Sequence, residues 1–90
     1  MNTAPPDTAR PPLVERVRAS RLPPPAERSR IRRTARATLR DIATELAVSP
    51  ATVWRWEQGV AEPRLDHAIA YRQLLDQIQA ATAHTDRSTP

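Results

Sequence analysis

The stretch Thr38–Pro63, TLRDIATELAVSPATVWRWEQGVAEP, decides the fold. Leu39, Ile42, Ala43 and Leu46 recur at helical spacing. Thr38 stands before them as an N-cap with Asp41 three residues on, close to a capping box. Ser49 followed by Pro50 is a second N-cap with the residue best tolerated in a first turn, so another helix opens three residues after Leu46. That helix carries Val53 and Trp56 inward and stops near Gly59, the only glycine of the chain, where a helix end needs positive φ. Two short helices across such a turn form a helix-turn-helix. Ala43 sits where they approach most closely, and Ile42, Leu46, Val48 and Val53 set their crossing. With these inward, Pro50, Ala51, Trp54, Arg55 and Gln58 face outward at one-turn intervals, so a single groove can meet them all.

Working outward, a preceding helix is expected to begin around Pro24–Ala26 and run to about Arg36, with Ile31 and Ala35 on its apolar face. Beyond the break at Pro63, Leu65, Ala68, Ile69, Tyr71, Leu74, Leu75 and Ile78 mark a long amphipathic helix to about Ala80. No strand pattern and no repeat occurs, so the chain reads as all-α, a compact four- to five-helix bundle. Seven of the ten prolines fall in the first 25 residues. That density predicts a flexible Pro/Arg-rich arm over 1–25, with at most a turn or two of helix at Leu13, Val14 and Val17. The helix-turn-helix domain then spans 26–82, and residues 83–90 form a disordered tail. Most of the last helix's stripe closes the core, and Leu74, Leu75 and Ile78 offer a seam for a homodimer.

Composition narrows the function. The chain has 90 residues and a net charge of +4, and all fourteen basic residues are Arg. Residues 26–60 are the most basic third, with seven Arg against four acids. Arg forms bidentate contacts with phosphate and guanine, which fits a nucleic-acid partner, and a GC-rich coding bias explains the same composition. The absence of Cys excludes disulfides and thiolate metal sites. No apolar leader and no stretch of about 20 apolar residues occurs, which predicts a cytoplasmic protein with no membrane partner. His67 and His84 lack metal-ligand spacing, and one glycine cannot build a phosphate loop, so no metal, cofactor or small-molecule substrate is expected. No set of catalytic groups emerges either, and the chain is not expected to be an enzyme.

From Ile31 to Leu75, half of the chain, the sequence is similar to the Cro/C1-type (Xre-like) helix-turn-helix repressors, a lambda-repressor-like fold of prokaryotic type. The most specific part is TVWRWEQGVAEP, Thr52–Pro63, with its aromatic–Glu–x–Gly–x–x–x–Pro order. The MerR and excisionase types share the Val-Ser-Pro-Ala-Thr pattern but usually lack that ending. The chain departs from the family in having Arg36 and Ala47 where glycine is usual. It also has Leu39 where a phosphate-contacting Gln is common. The resemblance therefore implies left-handed backbone at Arg36 and Ala47, and backbone anchoring by Thr38, Arg40 or the helix N-terminus itself. It also implies that Glu57 pairs with Arg32 rather than acting as an acid or base.

The expected function is a sequence-specific, double-stranded DNA-binding transcriptional regulator, with its third helix in the major groove. The DNA-binding residues are Thr38, Arg40, Ser49, Pro50, Ala51, Thr52, Trp54, Arg55 and Gln58. Arg55 is the first candidate for base readout, as a bidentate partner of guanine. Gln58 reads adenine or a phosphate, and the methyls of Ala51 or Thr52 meet a thymine methyl. Arg64 joins Thr38 and Arg40 in setting register on phosphates. For Trp54 the alternatives are stacking on sugars, wedging against base edges, or folding back over the helix. The competing function is an antitoxin or adaptor that binds a protein partner through its C-terminal helix or Pro-rich arm. A recombination accessory factor is the third.

Overall fold

The computed structural model describes residues 12–88, with side chains through 83. It holds five helices, α1 Leu13–Ala19, α2 Pro25–Thr34, α3 Leu39–Leu46, α4 Pro50–Gln58 and α5 Leu65–Ser88, and no strand among the described residues. The core gathers Ile31 of α2, Ile42, Ala43 and Leu46 of α3, Val53 and Trp56 of α4, and Tyr71 and Leu75 of α5. Val53 is wholly buried, and the indole of Trp56 lies 5.2 Å from the Tyr71 ring, tilted against it.

The helix boundaries follow from local chemistry. Thr38 accepts from the Asp41 amide at 2.9 Å while its own amide donates to the Asp41 carboxylate at 2.8 Å, a complete capping box on α3. The Ser49 hydroxyl accepts from the Thr52 amide at 3.1 Å and opens α4. Helices α2, α3 and α4 all stop in one way. An amide reaches back five residues, from Ala37 to Arg32, Val48 to Ala43 and Val60 to Arg55. The residue before each of these amides has positive φ, at Arg36 (61°), Ala47 (58°) and Gly59 (76°). This is the Schellman closure, and only the last of the three uses glycine. Arg36 and Ala47 are the two positions where the family resemblance implied glycine, and they are the only non-glycine residues with positive φ among those described.

Four differences from the sequence reading have physical causes. Ala35 is exposed, because α2 turns Arg28 and Arg32 inward beside Ile31 and uses guanidinium hydrogen bonds where an apolar stripe was expected. Leu75 is buried and Leu74 and Ile78 are half-buried against the core, so of the three seam residues only Leu74 and Ile78 keep exposed surface.

Helix α5 continues past Ala80 and through the expected tail to Ser88. No Gly or Pro interrupts it, and Gln and Ala extend a nucleated helix at little cost. Upstream, the turn or two of helix allowed at Leu13, Val14 and Val17 forms as α1, but it packs on α5 where a flexible arm to residue 25 was expected. Helix α1 has Glu15 in its first turn and Arg18 in its last, joined at 2.7 Å, an arrangement favoured by the helix dipole. It is tied to α5 by Arg16 on Asp66 at 2.7 Å and by Arg72 donating to the Arg18 carbonyl at 3.1 Å. Residues 1–11 of the expected arm lie outside the described residues.

Candidate nucleic-acid interface

Helix α4 is presented by a scaffold of two inward arginines, Arg32 half-buried and Arg28 buried. Arg32 of α2 grips the Glu57 carboxylate with Nε at 2.6 Å and Nη2 at 2.9 Å, and donates Nη1 to the Ala37 carbonyl at 2.9 Å. The Glu57 side chain is only 3% exposed, so this is the structural pair that the resemblance implied. Its hydrogen bonds and charge raise the Arg32 pKa further above its ordinary value. Burial, and secondarily the Glu57 charge, pushes Tyr71 up to about 12.

Arg28, also buried, donates to the carbonyls of Pro23 at 2.7 Å and Trp56 at 3.1 Å, and reaches Glu62 at 3.2 Å. It thereby ties the start of α2 to the end of α4. A Cβ added at Gly59 would lie 3.3 Å from the Pro25 ring, so α4 ends in close contact with the first turn of α2.

The opposite face of α4 is open. Ala51, Trp54, Arg55 and Gln58 are exposed and Pro50 is half-buried, so the five outward residues of the sequence reading share one face. Trp54 is 49% exposed, so about half of its surface is open to a ligand. Ser49 and Thr52 sit at the helix start, but their hydroxyls are 2.9 Å apart and bonded to each other. Their first task is to cap α4. Thr38 is likewise committed to the capping box, and the Asp41 carboxylate occupies the N-terminus of α3. The Thr38 amide and side chain hold that carboxylate below the ordinary aspartate range. A phosphate approaching α3 meets a negative charge there, so anchoring falls to side chains and not to the bare helix end.

The arginines divide accordingly. Arg16, Arg18, Arg28, Arg30, Arg32 and Arg72 each make an ion pair. The side chains of Arg40 on α3 and Arg55 on α4 make no hydrogen bond or ion pair among the described residues, nor do those of Arg36 before α3 and Arg64 after α4. Arg21, after α1, is similarly unengaged. Arg36 is a cation with no side-chain partner among the described residues that the sequence reading noted only for its backbone. The signal was present: an Arg held at a left-handed position, where it costs roughly 1 kcal/mol, projects a charge from the turn that leads into α3.

Comparison with protein-family models, curated proteins and solved structures gave no match to this chain. Among the described residues no cluster of three His or acidic side chains is arranged to hold a metal. No helix there is long and apolar enough to cross a membrane.

Proposed function

We propose that the protein is a sequence-specific DNA-binding regulator of transcription, of the Cro/C1 type, that lays α4 in the major groove. One observation carries this reading. The side chains of Arg36, Arg40, Arg55 and Arg64, on and beside α3–α4, have no partner among the described residues, while Arg28 and Arg32 are bound into the scaffold that presents α4. An array of free guanidiniums around an open helix face matches a duplex, whose phosphates take the flanking cations and whose base edges take the central ones. Arg55 reads guanine, Gln58 reads adenine or a phosphate, and Arg36, Arg40 and Arg64 hold phosphates and set the register. Two copies on half-sites about 34–36 Å apart supply the specificity that one small module lacks.

The test is a fluorescence-anisotropy titration of wild type and Arg55→Ala on random and on selected duplexes, at two salt concentrations. Arg55→Ala is expected to lose about 1–3 kcal/mol on the selected site and little on random DNA. Its thermal melt should stay unchanged, since Arg55 touches no scaffold group. Equal binding of both proteins to both DNAs, sensitive only to salt, would overturn the proposal.

A second reading, an adaptor or antitoxin that binds a protein, draws on α1. Leu13, Val14 and Val17 are 62%, 62% and 48% exposed, while Arg16 turns toward α5. A Val14→Glu/Val17→Glu double variant separates the two readings: on the DNA-reading account it binds duplexes as wild type does.

A further inference from the structure

The face that α4 presents is chemically divided. Around the helix axis, Pro50 and Trp54 lie to one side of Ala51 and Gln58, and Arg55 lies to the other. Half of the face is therefore apolar and half carries donors. The apolar half includes a half-exposed indole with no stacking partner among the described residues, since the ring contacts found there belong to Trp56. Exposing so much of an aromatic ring beside cations suits a ligand with an apolar feature of its own.

The major groove offers one such feature. The polar groups on the base edges are hydrogen-bond donors and acceptors, and the one apolar substituent that projects there is the methyl at C5 of a pyrimidine. Resting on the DNA-reading proposal above, we infer that Trp54, with Ala51 beside it, makes α4 a reader of 5-methylpyrimidines at the base step next to the one Arg55 contacts. Trp54 is then a specificity-determining residue, and its indole covers the methyl and excludes water from it. Two sources share this chemistry: thymine, and 5-methylcytosine in methylated DNA.

The experiment starts from duplexes selected by the wild-type protein, once from an unmethylated pool and once from a pool with its cytosines methylated. Each winning site is then rebuilt with the methyls removed singly, as deoxyuridine for thymine or cytosine for 5-methylcytosine. Loss of the contacted methyl is expected to weaken wild-type binding about threefold to fivefold, as one buried methyl group commands. Trp54→Gln should bind the parent site more weakly and no longer distinguish the methylated from the demethylated duplex. The half-exposed position of Trp54 makes that variant tolerable to the fold, which circular dichroism checks.

The arm that shows the effect identifies the source. If sites are selected, yet demethylated duplexes bind as well as their parents, methyl reading is wrong and DNA reading stands. If Trp54→Gln weakens every sequence equally, the ring stacks on sugars and the inference also falls. If no duplex is selected over random DNA, both readings fall together.

Discussion

Arg28 and Arg32 of α2 differ from Arg40 and Arg55 of α3 and α4 in everything but residue type. The first two are enclosed and have hydrogen-bonding partners on carbonyls and carboxylates, and the second two are exposed with none among the described residues. The contrast shows how one side chain serves two ends in a protein without Lys. Where a planar fork meets a carboxylate and a carbonyl at once it replaces apolar packing, and where it meets nothing it stays available to a ligand.

The sharpest way to break this contrast is at Glu57. Glu57→Ala leaves the half-buried Arg32 with only the Ala37 carbonyl, and is expected to destabilise the fold by about 3 kcal/mol in urea unfolding. A drop below 1 kcal/mol would mean that the pair is not part of the scaffold. Next comes Arg28→Met, which keeps the length but strips donors from the Pro23 and Trp56 carbonyls. A loss of about 2 kcal/mol is expected from the same measurement.

A smaller and opposite effect is expected at Arg36. Arg36→Gly relieves the left-handed strain and should raise stability by about 0.5–1 kcal/mol, net of glycine's entropy. The same change should lower the salt slope of DNA binding by about 1 if Arg36 holds a phosphate. Gain in one and loss in the other would separate scaffold from site within a single residue.

The smallest effect is on the acidic side, at Asp41. Its folded pKa is depressed, chiefly by the Thr38 amide. The capping contribution is therefore complete above the unfolded value of about 3.9 and fades as the pH falls through the lower folded value. Thermal melts of wild type and Asp41→Asn should converge in that acid range and differ at neutral pH.

The region from Thr38 to Gly59 was legible because local signals agree there. Thr38 and Ser49 as caps, Pro50 in a first turn and Gly59 at a stop mark the same boundaries as the apolar spacing. Legibility failed where structure depends on something other than apolar periodicity. Helix α2 turns Arg28 inward, and no pattern rule assigns a charged residue to a core face unless its partners are known, here two carbonyls and Glu62. Helix α1 sets Arg16 toward the body and its aliphatic residues toward solvent, the reverse of an amphipathic expectation. The outward face of α4 was readable as a set of residues. The caps at Thr38 and Ser49 were readable too, but that the Thr52 hydroxyl would bond to Ser49 depends on backbone geometry.

The closure of α4 at both ends has a mechanical consequence. Ser49 closes its start from within, while Arg28, Arg32 and the contact of Gly59 with Pro25 tie its end to α2. A rod packed along α3 and tied at its end has little freedom to tilt or slide by itself. On the proposed function, a duplex that receives it would have to supply the compliance, bending or narrowing to match a rigid counterpart. The stiffness of base steps that no side chain touches would enter the choice of site alongside those that are touched.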